Sequence, residues 1–294
     1  MSILSVTSLF SGAGMQERGL ENAGKEIGFD IKVVQTCEMD IYAIQTYAAI
    51  HNGLTKEMVD NYDAYPSREE MAEELKVKRI GYDFVKDKEY DWDKKAKSKS
   101  KDLETTWLAC KLNHNVGDIM KVKELEYCDM LTWSFPCCDL SVAGAQKGLV
   151  KSEDGQNGTR SGLVYEVIRL LNVAKEKGTL PKFMIMENVD ALVNKKNKPA
   201  YELINEELSE IGYNCYYEVM NTKYTGIPQN RARCYAMYVR KDIDQGGFTF
   251  PLKFDNGIRL KDILEENVDD KYFIKNEKAQ ELIDKLVESG KVSA

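Results

Sequence analysis

The stretch Trp133-Ser134-Phe135-Pro136-Cys137-Cys138-Asp139-Leu140-Ser141 places two adjacent thiols directly after a proline. The apolar run at residues 128–133 before it predicts a short buried strand. An apolar strand, a proline-restrained loop and then a helix is how α/β enzymes present a nucleophile at the carboxyl edge of a sheet. Since cysteine is also a common core residue, the stretch alone leaves packing and catalysis open.

The composition narrows the class of protein. The chain has 294 residues, 43% of them hydrophobic and 30% charged, which is typical of one large globular domain with at most a short second piece. Residues 3–9 are too few for a signal peptide, and no apolar run could span a bilayer, so we expect a cytoplasmic protein without a membrane partner. The net charge of −7 argues against a stand-alone nucleic-acid binder.

The cysteines and histidines do not form metal-site patterns. Seven cysteines without CxxC spacing argue against both a disulfide framework and a zinc site. His51 and His114 lie far in sequence from other potential ligands and are most simply structural residues. We therefore expect no metal, and a mechanism that needs a histidine base has little support.

The N-terminal segment has the pattern of a nucleotide-binding turn. Residues 5–10 predict a strand, Ser11-Gly12-Ala13-Gly14 a turn, and residues 15–24 a helix. The turn is not a full GxGxxG motif, so an ordinary βα turn is also compatible. A second predicted strand, residues 31–38, ends in Glu38, where such folds hold ribose hydroxyls. Together these features favour a nucleoside cofactor.

The remaining pattern predicts an α/β fold with a doubly wound, mostly parallel sheet and helices on both faces. Residues 53–113 interrupt it, and we interpret them as a charged helical insertion that is mostly solvated. The apolar strand at 183–186 leads into Glu187, and residues 144–158 have the composition of a mobile loop. Residues 1–251 form the predicted catalytic domain, and 252–294 a helical extension.

Several polar residues fall at predicted strand ends or in the adjoining loops. Because ligands bind at the carboxyl ends of strands in open α/β sheets, we expect these residues to share one site. They are Gly12, Gly14, Glu38, Asp118, Cys137, Glu187, Gln229, Arg231 and Arg233.

In order and spacing, this set resembles the C5-cytosine DNA methyltransferase family, whose fold is the Rossmann-like class I fold of methyltransferases that use S-adenosylmethionine. The matching segments span residues 5 to about 240. The insertion, which contains Ser67-Arg-Glu-Glu-Met71, is similar to that of bacterial members, some of which methylate CpG. The segments are Phe10-Ser-Gly-Ala-Gly14, Glu38, Gly117-Asp118-Ile119, Phe135-Pro-Cys137 with Ser141, Arg160-Ser-Gly-Leu163, Glu187-Asn-Val189 and Gln229-x-Arg231-x-Arg233.

The resemblance implies a role for each residue. Cys137 would be the nucleophile, Glu187 would bind N3 and N4 of the target cytosine, and Asn188 would hold the Cys137 loop. Arg233 would contact the O2 edge of the base. Double-stranded DNA would be bound, with a flipped-out base, by Ser141, Gln229 and Arg231, and residues 144–158 would close over it. The S-adenosylmethionine site would comprise Phe10, Gly12, Gly14, Glu38, Met39, Asp118, Ile119, Pro136 and Leu163, with Glu38 on the ribose.

Two departures from the family pattern bear on function. Cys138 stands where the family usually has glutamine, and the chain stops where the family begins its target-recognition region. We therefore expect the catalytic part of a restriction-modification or related enzyme, with a second polypeptide as a possible partner. The alternatives are a tRNA cytosine-C5 methyltransferase, an inert half that binds cofactor or partner, and an unrelated S-adenosylmethionine-binding domain.

Overall fold

The computed structural model describes residues 2–83, 86, 88–137, 160–273 and 275–290. Within these ranges six strands form one sheet, in the order β2-β1-β3-β4-β6-β5. The neighbours β1/β2, β1/β3 and β3/β4 are parallel, and β6 runs antiparallel to β4 and β5. The strands are β1 Ser2–Leu9, β2 Phe29–Cys37, β3 Met130–Trp133, β4 Phe183–Val189, β5 Tyr213–Asn221 and β6 Ala232–Arg240.

This strand order confirms the predicted doubly wound sheet. The chain passes from β1 to β2 on one side and returns to β3 on the other. Because parallel crossovers are right-handed, this reversal puts helices on opposite faces and opens a crevice at the carboxyl ends of β1 and β3. The helices are α1 Met15–Ile27, α2 Ile41–Asn52, α3 Lys56–Asn61, α4 Arg68–Val77, α5 Trp92–Ala96, α6 Asp102–Leu112, α7 Val164–Glu176, α8 Lys198–Ile211 and α9 Glu277–Glu288.

The central strands are apolar because they are buried in the core of the molecule. All four residues of β3 are buried, as are Met184 and Met186 of β4. They share a hydrophobic core with the apolar faces of α7 and α8, which contribute Leu170 and Leu208. This packing holds rigid the two strands whose ends carry Cys137 and Glu187.

The segment at residues 53–113 contains four helices within its described part and, contrary to the expectation of a mostly solvated insertion, has a buried core. Its helices α3 to α6 bury Trp92, Leu103 and Trp107 in a second hydrophobic cluster, together with Ile44 of α2. The buried Trp92 indole donates from Nε1 to the carbonyl of Ile80 at 2.8 Å. Each short helix contributes only a few apolar side chains, so none has a long periodic pattern that would reveal this core in the sequence.

The chain divides into two compact units. One comprises Met1–Asn221 and Ala232–Leu252, and the other comprises Thr222–Arg231 and Lys253–Ala294. The boundary after residue 251, between a catalytic domain and a helical extension, remains a prediction from the sequence. No helix in the described ranges is long and apolar enough to cross a membrane.

Asp129, directly before β3, links the middle of β1 to the segment just before β4. Its carboxylate accepts hydrogen bonds from Ser5 in β1, at 3.1 Å from N and 2.7 Å from Oγ. It also accepts one from Nζ of Lys182, just before β4, at 2.8 Å. These hydrogen bonds lower the pKa of Asp129 to about 2, and the bond from Lys182 contributes most.

We predict that Asp129→Asn destabilises the fold in a pH-dependent manner. The folded pKa lies below the unfolded value, so the stabilisation is complete above about pH 5 and is lost as the pH falls through the folded pKa. Urea denaturation should show a loss of about 1–2 kcal/mol at pH 7 that shrinks steadily from pH 5 to pH 3. Asp30→Asn, at the exposed start of β2, is the control. An equal loss at every pH would contradict the prediction.

Candidate active site

The loop that carries Cys137 is held by a buried amide of the next strand. Asn188 in β4 is buried, and its Nδ2 donates to the carbonyl of Phe135 at 3.0 Å. Cys137 is a free, half-buried thiol that packs against the main hydrophobic core. The structure therefore places this thiol at the end of β3, with its loop fixed from β4.

Glu187 precedes Asn188 on β4, so its side chain points to the opposite side of the strand. Arg233 of β6 lies diagonally across the antiparallel pair, and its Nε is 3.0 Å from Glu187 Oε1. Oγ of Ser134, in the Cys137 loop, lies 3.4 Å from Glu187 Oε2. The Arg233 and Glu187 side chains are 19% and 25% exposed, so the ion pair remains accessible to a substrate.

The glycine turn after β1 has the backbone that a close ligand requires. Phe10, Gly12 and Gly14 have φ values of 56°, 54° and 77°. A Cβ on Gly14 would lie 2.3 Å from Nε2 of His51, whereas one on Gly12 would meet nothing within 4 Å. Gly14 is thus required by packing, and Gly12 leaves open space beside the turn.

His51 supports this turn rather than acting near Cys137. Its side chain is 4% exposed, with Nδ1 3.0 Å from Glu21 Oε1 and Nε2 3.3 Å from the carbonyl of Ala13. The interpretation of His51 as a structural residue agrees with these contacts.

Glu38 is fixed against the glycine turn. Its Oε2 accepts from the backbone N–H of Gly12 at 2.9 Å, and its Oε1 from those of Met39 and Asp40 at 2.7 and 2.9 Å. The buried Asn115 amide holds the Glu38 backbone through two hydrogen bonds of 3.1 Å. A carboxylate held by backbone donors keeps lone pairs free for hydroxyl groups. Beside the open space at Gly12, it fits the ribose of a nucleoside.

Residues of the insertion bind Asp118. The side chain is 1% exposed, and its Oδ2 lies 2.6 Å from Nη1 of Arg79. Its Oδ1 accepts from the N–H of Met120, and its own N–H donates to the carbonyl of Lys78. A Cβ on Gly117 would come within 2.2 Å of that carbonyl, so only glycine permits this approach. Asp118 is therefore part of a buried ion pair rather than an open carboxylate.

The insertion also contacts the loop after β2, because the N–H of Gly81 donates to the carbonyl of Met39 at 2.8 Å. Residues 78–81 thus bind the two loops that carry Glu38 and Asp118. Arg79 could not be predicted from the sequence, since nothing in a long charged insertion marks one arginine as the partner of a distant aspartate.

The other predicted site residues are distributed as follows. Ile119 is buried, and Pro136 and Leu163 are half-buried. Gln229 and Arg231 belong to the second compact unit. Cys138, Ser141 and the predicted closing loop at 144–158 lie outside the described residues. No group of three or more His, Cys, Asp or Glu side chains within the described ranges could hold a metal ion.

Residues 73–292 match the family model of the C-5 cytosine-specific DNA methylases. The chain belongs to this family. It is 36% identical over 276 residues to the type II methyltransferase M2.ScrFI of Lactococcus lactis subsp. cremoris, covering 93% of this chain and 71% of that protein. It is 35% identical to the orphan methyltransferase M.SssI of Spiroplasma monobiae, covering 79% of this chain and 58% of that protein.

The solved structure of the S. pombe Dnmt2 methyltransferase has the same fold. It superposes with a TM-score of 0.51 at 16% identity, covering 96% of this chain and 65% of that one. Membership of the C-5 cytosine-specific DNA methylases implies S-adenosylmethionine as the methyl donor. The open glycine turn and the fixed Glu38 of this methylase fit the adenosyl part of that cofactor.

We predict that Arg79→Ala destabilises the methylase and weakens cofactor binding. The substitution leaves the carboxylate of Asp118 buried without its cation, which should lower the free energy of unfolding by about 3 kcal/mol in urea denaturation. The loop at 115–118 also loses support, so calorimetric titration should show about tenfold weaker binding of S-adenosylmethionine.

Lys56→Ala is the matched control for this prediction, because Lys56 pairs with Asp60 on the exposed surface of α3. We expect that change to cost less than about 0.5 kcal/mol. Equal effects of the two substitutions would show that the Arg79 pair has no special role.

Proposed function

We propose that the chain transfers a methyl group from S-adenosylmethionine to C5 of cytosine in double-stranded DNA. One observation carries the proposal. Consecutive residues of β4 hold the Cys137 loop, through Asn188, and present an accessible carboxylate paired with Arg233, through Glu187. Their arrangement brings a thiol and an ion pair to one edge of the sheet, which supports binding of a base by that pair. Family membership supplies the reaction class.

The chemistry of these side chains suits cytosine, whose C5 is a poor nucleophile. The Cys137 thiolate adds to C6, forming an S–C6 bond and moving electron density from the C5–C6 double bond to C5 and N3. Glu187 accepts a hydrogen bond from the 4-amino group and shares a proton with N3, which stabilises this charge, while Arg233 binds O2. S-adenosylmethionine supplies the methyl group that C5 accepts. Loss of the C5 proton then expels the thiolate and restores the ring.

DNA contacts complete the proposal. C5 and C6 are stacked within a duplex, so the target base must leave the helix. We assign DNA contacts to Ser141, Gln229 and Arg231, those with phosphates to Ser141 and Arg231, and closure over the base to residues 144–158. The names of the relatives support a role in restriction-modification or as an orphan methyltransferase. Their bacterial sources, together with a DNA substrate, support a cytoplasmic location.

A more specific form of the proposal is that methylation requires a second polypeptide or an additional region. The chain spans 71% and 58% of the lengths of the M2.ScrFI and M.SssI proteins, and we propose on that ground that sequence recognition needs an additional region. RNA is the second candidate substrate. The experiment below separates these cases.

We predict that the protein forms a covalent adduct with duplex DNA that contains 5-fluorocytosine, because fluorine at C5 blocks release of the thiolate. Denaturing electrophoresis should show the adduct for the wild type, in the presence of S-adenosylmethionine, and its complete loss in Cys137→Ser. Cys215→Ser, which changes another half-buried free thiol, should retain it.

The assay is run with DNA and with tRNA, alone and with the polypeptide encoded directly downstream. An adduct that needs the downstream polypeptide supports the split form of the proposal. An adduct on tRNA only, or none under any condition, overturns DNA methylation by this chain.

A further inference from the structure

A line of polar side chains runs from the glycine turn to Glu187. Gln16 lies in the first turn of α1, directly beyond Gly14, and its Nε2 is 2.6 Å from Oγ of Ser134. Ser134 in turn lies 3.4 Å from Oε2 of Glu187, whose Oε1 is bound by Arg233. The two carboxylate oxygens are therefore held from different elements.

The direction of each hydrogen bond in this line is fixed. An ionised carboxylate can only accept hydrogen bonds, so the Ser134 hydroxyl donates to Glu187 and must accept from the Gln16 amide. The Oε1 atom of Gln16 is buried and has no hydrogen-bond partner among the described residues. An amide left partly unsatisfied in a buried position costs free energy, which points to a role beyond packing.

We propose that Gln16 and Ser134 are positioning residues that fix the orientation of the Glu187 carboxyl group for the target cytosine. The inference rests on the proposed function and identifies how its base-recognition group is set. With Arg233 on Oε1 and Ser134 on Oε2, rotation of the carboxyl group is restricted. The carboxyl group is then set to accept a hydrogen bond from the 4-amino group of the base and to share a proton with N3.

The line also joins the two substrate sites. Gln16 follows the turn whose Gly12 contacts Glu38, so the segment that faces the cofactor also supports the carboxyl group that faces the base. Ser134 lies three residues before Cys137 in the nucleophile loop. A displacement of the glycine turn is thus transmitted to the orientation of Glu187.

The test compares Ser134→Ala, Ser134→Thr and Gln16→Met on two DNA duplexes. One contains 5-fluorocytosine and the other 5-fluoro-2-pyrimidinone, which lacks the 4-amino group. Ser134→Ala should slow adduct formation about tenfold on 5-fluorocytosine but only about twofold on the pyrimidinone, because one of the two contacts that it misplaces, that with the 4-amino group, is absent there. The dissociation constant for S-adenosylmethionine should stay within about twofold of that of the wild type.

The other variants identify the cause. Ser134→Thr keeps the hydroxyl group and should restore most of the rate, whereas Gln16→Met should show a smaller loss with the same dependence on the base. Gln45→Met is the matched control, since Gln45 Nε2 donates to the Thr106 hydroxyl at 2.9 Å in the insertion core. It should leave both rates unchanged. Thermal melting checks that each variant is folded.

The inference is overturned if folded Ser134→Ala reacts at the wild-type rate, if it loses equally on both duplexes, or if weaker cofactor binding accounts for the loss. A wild type that forms an adduct, when Cys137→Ser does not, sustains the proposed function even if Ser134→Ala is unimpaired. A wild type that forms none, alone or with the polypeptide encoded directly downstream, overturns both proposals.

Discussion

The hydrogen bond from Asn188 to the carbonyl of Phe135 is the contact on which the arrangement of the site depends. It joins the loop after β3 to the interior of β4, where the donor is buried and cannot exchange its partner for water. Because neighbouring side chains of a strand alternate, fixing Asn188 inward turns Glu187 to the other side, towards Arg233. One buried amide thereby sets the spacing between the thiol loop and the ion pair.

Parallel pairing brings the loops of the proposed cofactor site to the same edge. Since β1 lies between β2 and β3, the glycine turn, the Glu38 loop and the Cys137 loop emerge side by side. Glu38 binds Gly12 directly, and Ser134 connects Gln16 to Glu187. The two halves of the site are thus joined by hydrogen bonds between loops, while the strands beneath them are held by packing.

The sequence predicted features that depend on neighbouring residues, and it did not predict features that depend on residues far apart in the chain. The strand, glycine turn and helix at the N-terminus, and the buried strands before Cys137 and Glu187, are local patterns, and the structure contains them with ends shifted by a few residues. The buried core of the insertion was missed because it is shared among several short helices. The Arg79–Asp118 pair joins residues 39 positions apart, and no periodicity marks such a pair.

The segment at residues 78–81 changes how the insertion should be regarded. It binds Met39, Gly117 and Asp118 through main-chain and ionic contacts, one of which only a glycine permits. Such an element is not a modular cassette that can be exchanged among related enzymes. A chimaera that received a foreign insertion would therefore need the matching loops from the same donor.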